Sequence, residues 1–113
     1  MSWVMVRLAT ETAGTRLTLE HEIPKDKAGE AHWAKYGPEA TGVGWDLSLF
    51  GLDWHINNKG RPLDSEAGLA WMASSAGKDF MRHSAQAWSK AHINSGEIAE
   101  IAQEMATQTA KFY

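Results

Sequence analysis

The sequence predicts an α+β fold, an N-terminal β-hairpin followed by a long central helix and further C-terminal helices, and three observations carry that expectation. Two stretches near the start alternate apolar and polar side chains with period two around a Gly-containing turn. The stretch Gly37 to Gly60, GPEATGVGWDLSLFGLDWHINNKG, is apolar on two faces when residues are placed about 100° apart. Beyond Asp64, apolar residues recur at the spacing of amphipathic helices.

In the first strand, Ser2 to Ala9, Trp3, Met5 and Arg7 alternate with Val4, Val6 and Leu8. In the second, Thr15 to Glu22, Leu17 and Leu19 alternate with Arg16, Thr18 and Glu20 and are expected to face inward. TETAG supplies the turn, with Gly14 available for a positive φ. Pro24 ends the second strand, and Lys25 to Tyr36 reads as a short helix or irregular link.

The central helix begins at Gly37 and Pro38, where proline's missing N–H costs nothing, and stops at Gly60 and Pro62. Val43, Leu47, Phe50 and Trp54 form one stripe; Trp45, Leu49, Leu52 and Ile56 form a second, roughly opposite. Leaving a large apolar side chain wet forfeits about 1.5–3 kcal/mol, so the helix is expected to be enclosed on both flanks. Gly42 and Gly44 each sacrifice about 1 kcal/mol against alanine in a helix, which points to close packing. A strand reading fits Val43 to Leu49 but slips after Leu49, and the length of the run favours helix.

Asp64 is the expected N-cap of a helix to about Ser74, and the helical pattern continues from Ser75 to about Ile93 with Phe80, Ser84, Ala87, Trp88 and Ala91 on one side, as one bent helix or as two separated near Ser74 to Gly77. Asn94 to Gly96 mark a break, with Glu97 placed for a capping box with Asn94. The last helix presents Ile98, Ile101, Ala102, Met105, Thr109 and Phe112 as its stripe.

With 113 residues, 43% hydrophobic and 22% charged, the chain fits one domain spanning 1–113. A net charge of −3 and the lack of a Lys/Arg cluster that could supply a basic face locally argue against nucleic acid as a partner. The absence of Cys removes disulfides, thiolate metal sites and Cys nucleophiles, and suits a cytoplasmic protein. Met1 to Ala9 does not read as a signal peptide, and Asp46 and Asp53 interrupt the greasiest stretch, so no membrane partner is expected.

The five His form no metal-binding motif, and neither a metal nor a cofactor is expected. Ser48 and His55 share a seam of the central helix but lie two turns, roughly 10.5 Å, apart, too far for nucleophile activation. Asp46 and Asp53 share the other seam and, with His55, are the only acid/base set an enzyme could use. No catalytic residue is assigned. Should the fold hold an apolar pocket, Trp45, Phe50, Trp54 and His55 are its expected lining, within a Trp set that includes Trp71 and Trp88.

Three ordered segments, GTRLTLEHE (Gly14 to Glu22), YGPEATGVGWDLSLFGL (Tyr36 to Leu52) and SAQAWSKAHINSG leading to ATQTAKFY, together resemble the SRPBCC (START/Bet v1-like) superfamily. The branch is that of the activator of Hsp90 ATPase homologue 1-like proteins. The resemblance covers nearly the whole chain and matches the C-terminal portion of that domain. It implies a partial helix-grip, in which Gly37 to Gly60 is the gripped helix against an apolar cavity. It also implies a non-catalytic binding module for a hydrophobic small molecule or a protein partner. The alternatives are a polyketide cyclase- or hydrolase-like enzyme, and a ligand-free interaction fragment that self-associates. Because the chain starts at what look like the last two strands of that fold, a homo-oligomer through the hairpin edge or a helix face is expected.

Overall fold

Thr12 and Ala13 reverse the chain between two strands, β1 (Trp3–Glu11) and β2 (Gly14–Glu22), in a computed structural model that describes residues 1–113. Both turn residues keep negative φ, and Gly14 completes the reversal at φ +149°, a conformation other residues rarely adopt. The turn is shorter than TETAG because Thr10 and Glu11 stay in the ladder, opposite Thr15 and Gly14.

The register puts Val4, Val6 and Leu8 opposite His21, Leu19 and Leu17 on one face. Met5, Arg7 and Ala9 stand opposite Glu20, Thr18 and Arg16 on the other, where Arg7 pairs with Glu20 and Arg16 with Glu11. These ion pairs are exposed and add little stability. All of β1 is exposed, and of the two leucines expected to face inward, Leu17 is exposed and Leu19 half-buried. A two-stranded ribbon has no second layer of its own to bury them against.

The α+β class is as expected: the hairpin is followed by five helices. The chain forms two compact units, Met1–His32 and Trp33–Tyr113. No helix is long and apolar enough to cross a membrane. Helix α1 (Lys27–Tyr36) starts where the Asp26 carboxylate accepts the Gly29 N–H at 2.8 Å. It ends at Gly37, φ +56°, whose N–H returns to the Trp33 carbonyl at 2.8 Å. Pro38 then occupies the N-cap of α2 (Glu39–Asn57).

The helical unit is organised around α4 (Ser75–Asn94) rather than α2, since α4 packs against α2, α3 (Ser65–Ala73) and α5 (Ala99–Phe112). Its buried residues, Gly77, Met81, Ser84, Ala85, Ser89 and His92, are mostly small and spread over a wide arc. Short side chains let three neighbours approach. The expected stripe is displaced accordingly: Phe80, Ser84 and Trp88 are covered, while Ala87 and Ala91 are exposed.

Helix α2 is enclosed on one flank, not two. Val43 is fully buried in a core with Met81, Ala85 and Ala106, against which Leu47, Met72, Phe80 and Tyr113 pack. The opposite stripe stays open, with Leu49 39%, Leu52 41% and Ile56 68% exposed. Packing against α4 and α5 uses the Val43 side, so the second stripe remains an apolar flank. Gly42 does allow close packing: a Cβ there would lie 2.3 Å from ring carbons of Trp88.

At the α3/α4 junction the chain breaks rather than bends. Asp64 caps α3 by accepting the Ala67 N–H at 2.9 Å, as expected. Ser74 is extended, accepts the Gly77 N–H at 3.2 Å and donates its hydroxyl to the Trp71 carbonyl.

The expected Asn94/Glu97 capping box does not form. Asn94 is the last residue of α4, and the Glu97 carboxylate takes the adjacent Ile98 N–H at 2.8 Å. On α5 the buried residues are Ala102, Met105, Ala106 and Thr109, while Ile98, Ile101 and Phe112 are exposed. The two alanines allow close approach, which turns the larger isoleucines outward.

Candidate functional site

Helices α2 and α3 splay around an apolar cleft of about 240 Å³. Leu47, Phe50 and Trp54 line it from α2, Ala67, Gly68, Trp71 and Met72 from α3, and Leu63 from the connecting segment. The Asp64 cap fixes where α3 begins, and with it the face that α3 presents. Gly68 keeps the space open, since it contributes no side chain where a Cβ would only meet Leu63 at 3.4 Å.

One wall is an aromatic cluster. The Phe50 and Trp71 rings stack 4.4 Å apart at 9°, and Phe80 backs both at 5.5 Å. Such contacts add about 0.5–1.5 kcal/mol each beyond area burial, which favours this arrangement of the three rings. No charged side chain lines the cleft. A dry engineered cavity of about 150 Å³ admits benzene, so this space suits a single-ring arene or a short alkyl chain.

Of the residues singled out in the sequence, Phe50 and Trp54 line this cleft, joined by Trp71 from the wider Trp set. Trp45 and His55 lie outside its lining. Trp45 is half-buried on the other stripe of α2. His55 Nδ1 donates to the Arg61 carbonyl at 3.0 Å, which ties down the turn after α2. Trp88 packs over Gly42 and donates its indole N–H to Asp46 at 3.0 Å.

The acid/base set is not brought to one place. Asp46 accepts from the Ser84 hydroxyl as well as from Trp88, so it serves as the acceptor that joins α2 to α4. Asp53 accepts from the Asn57 amide at 3.0 Å. Both aspartates border an open depression on which His83, not His55, is the imidazole. The Ser48 hydroxyl donates to its own helix at Gly44, 3.0 Å away.

A buried acid/imidazole pair was not legible in the sequence. Glu39, fully buried at the start of α2, meets His92 Nδ1 of α4 at 3.3 Å, and His92 Nε2 lies 3.7 Å from Glu97. The second Glu39 carboxylate oxygen has no hydrogen-bond partner. Burial raises the Glu39 carboxyl above its ordinary value and Glu97 adds to the rise, while hydrogen bonding and the charge of His92 pull it partly back. Nothing local to Glu39 in the sequence announces a partner 53 positions away.

A raised carboxyl favours the protonated form in the folded state. The Glu39 contribution to stability is therefore full below its unfolded value near 4.5 and declines as pH rises through the folded one. Glu39→Gln mimics the protonated form, so its melting temperature is expected to gain on the wild type between pH 4 and pH 7. Thermal unfolding followed by circular dichroism reads this directly, and a gap that moves the other way would show that the His92 pairing outweighs burial.

Comparison with profiles of protein families, with curated proteins and with solved structures gives no match. The chain's class is thus defined by its own architecture, an α+β protein with an apolar interhelical cleft.

Proposed function

We propose that the chain is a non-catalytic binding module whose α2/α3 cleft takes a small apolar ligand, acting in a reducing cytoplasm. The observation that carries this reading is the aromatic-walled space of about 240 Å³ with no charged group in its lining. The resemblance of three segments to SRPBCC domains, in the Hsp90-activator-like branch, supports it, because that superfamily encloses apolar ligands. The enzyme alternative has less support, since Asp46, Asp53 and His55 do not share one site.

Calorimetric titration with toluene tests the proposal, using Gly68→Leu as the blocking variant. Saturable heat is expected from the wild type and none from the variant. Replacing a helical glycine should leave stability equal or higher by about 1 kcal/mol, so lost binding would not reflect unfolding. Toluene binding to Gly68→Leu at wild-type strength would remove the cleft as the site.

A second reading, self-association, is favoured by exposed apolar surface. Val4, Val6, Leu8 and Leu17 are bare on one face of a ribbon whose two outer edges are unpaired. A unit as short as Met1–His32 cannot hide them within itself, and a second copy offers the same edge and face in two-fold register. Light scattering at micromolar concentration should give a dimer mass that Val6→Lys halves. A wild-type monomer would end this reading without touching the cleft.

A further inference from the structure

Helices α4 and α5 leave between them a groove of about 680 Å³ that shares no lining residue with the apolar cleft. Its charge is of one sign: Arg82 and Lys90 contribute from α4 and Lys111 from α5, with no carboxylate in the lining. On α4 the lining residues recur at i, i+4, i+7, i+8 and i+11, and on α5 at i, i+3, i+4, i+7 and i+8, so each helix commits one whole face. In a chain of net charge −3 this concentration of cations is local.

Arg82 is partly neutralised by Asp79 at 3.2 Å, whereas Lys90 and Lys111 pair with no carboxylate. Two free ammonium groups match the charge of about −1.5 to −2 carried by a phosphate monoester near neutral pH better than the single charge of a carboxylate. Gln86 and Gln103 add amide donors along the walls. Ser89, only 4% exposed, belongs to the groove's lining, yet its hydroxyl has no partner, and folded proteins rarely leave a buried donor idle. The space exceeds one phosphate, and Ile93, Ala106 and Ala110 give an apolar patch for an organic body.

We infer that the α4/α5 groove binds the phosphate group of a small phosphomonoester, held by Lys90, Lys111 and Arg82. The same chemistry is presented by a free ester and by a phosphomonoester lipid headgroup, and the test separates them.

Backbone amide resonances of α4 and α5 are followed while phenyl phosphate, inorganic phosphate or acetate is added to the whole chain. Vesicles of phosphatidylcholine with and without phosphatidic acid form the second arm. Saturable shifts on the groove faces are expected with phenyl phosphate at millimolar or lower concentration, weaker with inorganic phosphate and weakest with acetate. Lys90→Gln/Lys111→Gln, two exposed positions whose replacement leaves the core intact, should weaken phenyl phosphate by about tenfold or more. Recruitment to phosphatidic acid vesicles that is lost in the double variant would extend the ligand to a lipid headgroup; its absence, with phenyl phosphate still bound, assigns the groove to soluble esters. No saturable phosphate shift, or equal affinity in wild type and double variant, overturns the inference. So does binding of a single-stranded oligonucleotide without binding of phenyl phosphate.

Discussion

Gly77→Ala is expected to destabilise the helical unit by roughly 2 kcal/mol, although alanine is the better helix former. A Cβ at this position would stand 2.1 Å from the Trp71 carbonyl oxygen and 2.8 Å from the Met72 Cα. Both obstacles are backbone, so no side-chain rotation relieves them and the α3/α4 junction must shift. Overpacking of this kind costs about 3 kcal/mol at its upper range, and the helix propensity gain returns about 1 kcal/mol. The shift would carry Trp71 with it and distort the cleft wall. Urea unfolding followed by helical ellipticity measures the loss, and a gain of stability in the variant would mean the junction is slacker than its contacts imply.

Trp88→Ala is expected to lose more, about 3–4 kcal/mol. The indole lies on Gly42, where any Cβ would collide with it, and its N–H holds the Asp46 carboxylate. Removing it opens a void between α2 and α4 and takes one of two donors from a part-buried charge, leaving Ser84 as the other. Trp88→Phe separates the two effects. It keeps most of the ring contact and forfeits a hydrogen bond to a charged group, for about 1.5–3 kcal/mol. Equal losses in the two variants would place the whole effect in the hydrogen bond, contrary to the tight ring contact at Gly42.

Local signals were readable because their cause is local. Gly14 at the turn, Asp64 as a cap and Gly42 as a contact point each follow from the chemistry of one residue and its immediate neighbours. The two stripes of α2 are about equally apolar, so nothing within residues 39–57 decides which flank is covered. That decision lies in α4, whose Gly77, Ser84, Ala85 and Ser89 look unremarkable as a hydrophobic pattern yet set how near three helices can come. Polar partners from distant positions were invisible for the same reason. Glu39 meets His92, and Lys90 and Lys111 come to line one groove, only through helix packing. For the cleft, Phe50 and Trp54 were legible as large apolar groups on one stripe. Trp45 and His55 could not be sorted from them without knowing which side α3 occupies.

The central claim, that Phe50, Trp54 and Trp71 frame a ligand site, is tested most directly by the six tryptophan indole N–H resonances during a toluene titration. The expected result is saturable movement of the Trp54 and Trp71 signals while Trp3 and Trp33 stay in place. No saturable movement, or movement spread equally over all six, would contradict it.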